Sequence, residues 1–73
     1  MRRFELPGGE IILVRDVFSA DGHTIALVSK KRRYGVWDVK NRRWIDGPYR
    51  KMSHARARFD IHQLRILSGV DLS

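Results

Sequence analysis

Cysteine is absent from the 73 residues, and with it go disulfides and thiolate metal ligands. Proline occurs only twice, and no Pro/Gly/Ser-rich stretch divides the chain, so one domain spanning residues 1–73 is expected. Long apolar runs are missing as well. The longest is "IILV" at Ile11–Val14, far below the ~20 residues of a membrane-spanning helix. The N-terminal "MRRFELPGGE" lacks the apolar core of a secretion signal. These absences point to a cytoplasmic protein with no membrane contact.

Catalytic patterns are scarce too. His54 and His62 stand more than two helical turns apart, His23 lies in a turn, and no H-x-x-x-H spacing occurs, so no metal site is expected. The serines sit at turns, at a helix start and in the tail, where local hydrogen bonding accounts for them. Gly8-Gly9 precedes a strand rather than a helix and so forms no phosphate loop. The expectation is a non-enzymatic chain without cofactor, and the open question is what it binds.

Acid is the scarce charge: eight Asp and Glu stand against fifteen Lys and Arg, for a net +7. The imbalance is local. Residues 30 to 58 hold eleven of the basic residues and only two acids, Asp38 and Asp46, a local +9, while the remainder carries −2. Such a field attracts phosphate backbones or an acidic protein surface. Within "SKKRRYGVWDVKNRRWIDGPYRK" (Ser29–Lys51) two Trp and two Tyr are threaded between the cations.

Strand patterning runs through the first two thirds. "EIILVRDVF" (Glu10–Phe18) and "TIALVSK" (Thr24–Lys30) flank Asp21-Gly22, the preferred chemistry of a tight hairpin. With those two residues as the loop, Phe18 faces Ile25, Asp16 faces Leu27, Val17 faces Ala26 and Arg15 faces Val28. "YGVWDV" (Tyr34–Val39) and "WIDG" (Trp44–Gly47) form a second hairpin around "KNRR", with Val39 opposite Trp44 and Asn41 suited to a left-handed turn position. Val39, Trp44 and Trp37 then share one face, and Val36, Asp38 and Ile45 the other. Pro48 is expected to stop the sheet, since it cannot donate to a ladder.

Ser53 reads as the N-cap of a helix over His54–Leu67, with Ser68-Gly69 as its stop and Arg56–Asp60 as an i,i+4 pair. The tail "VDLS" reads as loose. The fold class expected is α+β: a small antiparallel meander of three to four strands with one C-terminal helix on one face.

At about 100° per residue, Ala55, Phe59, His62 and Ile66 line one stripe of that helix, with His62 half-buried in it. Ala57, Ile61 and Leu64, with Leu67 at the margin, form a second stripe on the opposite side. A helix lying on a sheet needs only one. Either Phe4, Leu6 or loops cover the second stripe, or it is a homodimer or partner interface, which a chain this small could use for stability.

The candidate nucleic-acid contacts are Lys30, Lys31, Arg32, Arg33, Lys40, Arg42, Arg43, Arg50 and Lys51 on phosphates, with Tyr34 and Tyr49 as base stackers. The loops at 30–33 and 40–43 fall at opposite ends of one strand, about 20 Å apart at ~3.3 Å per residue, which suits several successive phosphates. Trp37 and Trp44 read first as core under the helix, which leaves the face with Tyr34, Val36, Asp38, Lys40 and Arg43 presented. The alternative sets the two Trp against unpaired bases.

From Ile25 to Leu64, the strands, basic turns and helix entry "GPYRKMSHARARF" resemble the arm-type DNA-binding domains of phage and transposon integrases. That resemblance implies a three-stranded sheet set in the major groove, with DNA ahead of RNA as ligand. The chain departs from the pattern in Arg42, where glycine is usual, and in an extra N-terminal strand. In size and character it is also similar to small phage and mobile-element inhibitors, anti-CRISPR proteins among them. That similarity implies a basic surface turned on an acidic protein patch of a host complex.

Overall fold

The computed structural model describes residues 2–5 and 8–69. Five strands and one helix follow in order: β1 (Arg2–Glu5), β2 (Ile11–Ala20), β3 (His23–Lys30), β4 (Arg33–Asp38), β5 (Arg43–Tyr49) and α1 (Met52–Leu67). The sheet is an open antiparallel meander ordered β1-β2-β3-β4-β5, so the α+β class stands with one strand more than expected. The extra strand is β1, whose four residues pair Phe4 with Ile12 and Glu5 with Ile11. Four residues ahead of "LPGG" carry too short an alternation to announce a strand on their own.

Asp21-Gly22 makes the β2–β3 turn, with φ of 51° and 79° and Ala20 paired to His23. Phe18–Ile25, Val17–Ala26 and Asp16–Leu27 pair as the pattern predicts. Arg15 does not meet Val28, because a bulge between Val14 and Asp16 leaves Arg15 unpaired and gives Val28 to Val14.

The sheet has two buried faces. α1 lies on the face of Ile25, Leu27 and Val36, into which it sends Ala55, Phe59 and Ile66, each at most 1% exposed. Burying Phe59 and Ile66 contributes about 2 kcal/mol apiece. The opposite face carries Ile12, Val14, Ala26, Val28 and Trp37, with Phe4, Val39 and Trp44 packed against them. So Trp37, Val39 and Trp44 do share a face, but it is the one away from the helix. The face expected to be presented, with Tyr34, Val36 and Asp38, is the covered one.

Gly35 explains the placement of the indoles. A Cβ there would fall 2.7 Å from the Trp44 ring and 2.7 Å from the Asp46 carbonyl oxygen. The missing side chain leaves room for Trp44 to pack edge-on to Trp37, with ring centroids 5.1 Å apart.

The β4–β5 register also differs from expectation. Trp37 pairs with Trp44 and Asp38 with Arg43, which puts Val39 in the loop rather than opposite Trp44. The cause is Asp38, whose carboxylate accepts the backbone N–H groups of Lys40 and Asn41, 3.1 Å each, and the Asn41 amide at 2.7 Å. That local network folds four residues into the turn, and Arg42 rather than Asn41 takes the left-handed conformation, at φ 54°. Pro48 does not end β5, which continues through a cis Gly47–Pro48 bond to pair Tyr49 with Tyr34. β5 is an edge strand, so the missing N–H of Pro48 breaks no second ladder.

The helix begins one residue before its predicted cap. Lys51 occupies the N-cap position in an extended conformation without a side-chain bond, and Ser53 lies inside the first turn. Ser68 and Gly69 end the helix as expected: Gly69 takes φ 77°, and its N–H reaches the Ile66 carbonyl. Arg56 pairs not with Asp60 but with Asp16 on β2, at 2.8 Å. His62 is buried rather than half-buried, at 7% exposure. The second stripe is uncovered: Ile61, Leu64 and Leu67 are 39%, 65% and 62% exposed. Phe4 lies on the far side of the sheet, while Leu6 and the "VDLS" tail fall outside the described residues.

Candidate nucleic-acid interface

The β3–β4 turn is the centre of the basic surface. Lys30 pairs with Arg33, and the two residues between them, Lys31 and Arg32, have φ of 48° and 62°. A two-residue hairpin turn of this hand asks for Asn-Gly or Asp-Gly. Here two long cations hold the left-handed conformation, at about 1 kcal/mol or more each. Their side chains lie at the tip of a two-residue turn.

Grooves lie on both sides of that tip. On the helix side, a hollow of about 250 Å³ is lined by Lys30, Lys31, Arg32, Arg15, Tyr34 and Ser29, above Ile11 and Leu13. On the other side, a smaller one of about 170 Å³ is lined by Lys30, Lys31, Arg33, Trp44 and Pro48. Arg50 and Lys51 follow Tyr49, the partner of Tyr34, and so emerge at the same end of the sheet. Six of the nine expected phosphate contacts therefore share one end. Lys40, Arg42 and Arg43 occupy the other, all three exposed.

Acid is placed close to these cations. Glu10 sits 2.5 Å from the Lys30 ammonium and 3.8 Å from that of Lys31, and the hydrogen bond from Lys30, with its charge, holds the Glu10 carboxyl below its usual range. Asp38 is spent on its own loop. Burial opposes its charge, but the bonds from Asn41 and Lys40 and the nearby Arg43 charge prevail, and its pKa is lowered. It is therefore directed to its own loop rather than to the outer surface.

The expected stackers divide. Tyr34 is half-buried but lines the larger groove beside Lys30, Lys31 and Arg32. Tyr49 is directed inward: its hydroxyl donates to Asp46, and its ring packs with the core beneath the helix. Trp37 is 5% exposed, while half-buried Trp44 lines the smaller groove.

Two features escaped the pattern. Arg15 reaches the groove because of the bulge, and nothing in "LVRDV" signals one. The second is a polar cluster under α1. Asp46 accepts from Tyr49, from Arg58 Nε at 2.6 Å and from His62 Nε2 at 2.9 Å. Burial works against the Asp46 charge, yet these three bonds outweigh it and hold the carboxyl at about 2. Arg58 and His62 are four apart on one helix flank, a signal legible in principle, but their partner lies on another element. With Nε2 bonded to the carboxylate, the buried His62 Nδ1 has no hydrogen-bond partner. The cluster locks the helix to β5.

No described helix is long and apolar enough to cross a membrane. Compared with protein-family models, with curated proteins and with solved structures, the chain matches none.

Proposed function

We propose that this chain is a non-catalytic, cytoplasmic nucleic-acid-binding protein, with DNA ahead of RNA as ligand, that grips phosphates through its basic hairpin turns. The observation that carries the reading is the β3–β4 tip, where Lys31 and Arg32 accept strained backbone geometry between two grooves lined by further cations. Lys30, Arg15, Arg33, Arg50 and Lys51 extend the surface on the same end, and Lys40, Arg42 and Arg43 continue it across the sheet. Phosphate contacts of this type supply affinity and salt dependence without sequence choice.

The test is a titration of labelled duplex and single-stranded DNA at several salt concentrations. Neutralising about five phosphates of a duplex gives a slope of log K on log salt near −4.5. Replacing Arg32, Arg33, Arg42 and Arg43 together with Gln should flatten that slope by about 3 or more. An unchanged slope in that variant, or no binding at physiological salt, defeats the reading.

One observation favours a second reading, that of an inhibitor of a host complex in the manner of anti-CRISPR proteins. Ala57, Ile61, Leu64 and Leu67 form an open apolar stripe on a helix already packed through its other side. That stripe suits a second copy of the chain or a protein partner. Sedimentation across a hundredfold range of concentration separates a homodimer from a monomer. Ile61→Asp with Leu64→Asp should abolish association while leaving DNA affinity unchanged.

A further inference from the structure

The open stripe of α1 has a heptad order. Ala57, Ile61, Leu64 and Ser68 are spaced by four, three and four residues, the alternation of a two-helix seam. Ala55, Phe59, His62 and Ile66 fill the core side of the helix, so the stripe faces away from the sheet. A second helix can lie along it without meeting a strand. The two flanks of the stripe differ in charge. Asp60, just before Ile61, lies on one, and Arg58 and Arg65, just after Ala57 and Leu64, lie on the other. Arg58 is turned back onto Asp46 at 2.6 Å. Asp60 and Arg65 are exposed, and neither belongs to an ion pair among the described residues. Asp60 accepts only a long bond, 3.5 Å, from Gln63.

We propose that α1 pairs in parallel with α1 of a second copy of the chain. Ile61 and Leu64 then meet their counterparts across a two-fold axis, and Asp60 of each helix reaches Arg65 of the other. The pairing is independent of what the basic turns bind. A parallel seam brings a flank residue beside the residue five places further on in its partner, which is the separation of Asp60 and Arg65. Within one helix the two stand about 140° apart, so they cannot pair with each other. Antiparallel helices would instead set Arg58 of one copy beside Arg65 of the other, like charge against like, with no acid on that flank. Charge complementarity therefore selects both the occupant and its direction. The seam is only two heptads long, and each chain carries +7, so the dimer is weak and dissociates at roughly 100 μM.

Sedimentation equilibrium of the full chain, from about 10 μM to about 1 mM, should show a monomer–dimer equilibrium. Asp60→Arg alone and Arg65→Asp alone should each weaken it about tenfold, because two ion pairs become two repulsions. The double exchange should restore it to within about threefold, a rescue that only a contact between copies can give. Direction is read separately, using the absence of native cysteine. In the parallel pair the side chains of an Ala57→Cys variant face each other, and a mild oxidant should link them into a covalent dimer. Antiparallel helices with Ile61 opposite Leu64 would hold them about 16 Å apart, beyond the reach of a disulfide. A chain that stays monomeric throughout the range leaves the stripe to a different protein and overturns the proposal. So does a dimer that the double exchange fails to restore, or one that Ala57→Cys fails to link.

Discussion

The two turns at the ends of β3 have the same length and the same hand, and they are made of opposite chemistry. At one end Asp21-Gly22 takes φ of 51° and 79°; at the other Lys31-Arg32 takes 48° and 62°. The first pair is what the geometry prefers, because glycine enters the left-handed region freely and Asp tolerates it. The second pair is not. Both turns close a paired hairpin, so local folding preference explains one and fails to explain the other. Two cations at a strained tip between basic grooves are a local disagreement with folding preference, and the proposed phosphate-binding role is one that would account for it.

Transplanting the sequences should show the difference most sharply. Asp21→Lys with Gly22→Arg places the strained pair at the opposite end of β3, and should destabilise the chain by about 2 kcal/mol in chemical denaturation. DNA affinity should not gain as it would from a cation at the proper end. If affinity rises as much as net charge alone predicts, position is irrelevant and the comparison fails.

Acid should act on stability chiefly through the cluster under α1 rather than through the exposed Glu10 beside the β3–β4 turn. Asp46 has its folded pKa depressed to about 2 from an ordinary 3.8, so its contribution is present above pH 4 and is lost as pH falls through 2. The loss is at most about 2 kcal/mol for this largely buried carboxylate. It should appear as release of α1, read from His62 and Phe59 resonances, before either hairpin opens. Loss of the β3–β4 hairpin first would mean that the tip is weaker than its pairing suggests.

Relieving the strain comes next in size. Lys31→Asn with Arg32→Gly should raise stability by about 1–2 kcal/mol, and the melting temperature by several degrees in a domain of this size. It should also weaken duplex binding. A gain in stability with affinity intact would show that the cations are tolerated rather than used. The smallest effect belongs to Glu10→Gln, which frees Lys30 and Lys31. Thermal melting should hardly move, and DNA affinity should rise about threefold, the size of one exposed charge interaction.

Much of this architecture is legible in the chain. The Asp21-Gly22 hairpin, the stripe of Ala55, Phe59, His62 and Ile66, the second apolar stripe opposite it and the Ser68-Gly69 stop follow from periods of 2.0 and 3.6 and from turn chemistry, whereas only the structure shows that second stripe to be uncovered. Each depends on neighbours within a few residues. The cluster of cations is legible for the same reason, since charge needs no fold to be counted. Bulges are not legible. The extra residue at Arg15 shifts the pairing by one and the two irregularities in β5 shift it by two, and no composition distinguishes them from ordinary alternation.

The sequence by itself therefore determined an antiparallel meander with a C-terminal helix, one tight hairpin, the helix stripe that would be buried and a strongly basic middle. Tertiary structure alone decided which face of the sheet the helix covers. Val36 and the Trp37–Trp44 pair are both apolar, and only the space at Gly35 and the partners of Asp46 separate them. It also decided that Arg15 joins the Lys30–Arg32 groove, that Arg50 emerges at the same end of the sheet, and that Phe4 packs on the cluster of Trp37. The physical reason is that these neighbours are far apart in the chain, and their meeting depends on sheet coiling, bulges and packing volume, which only the assembled chain possesses.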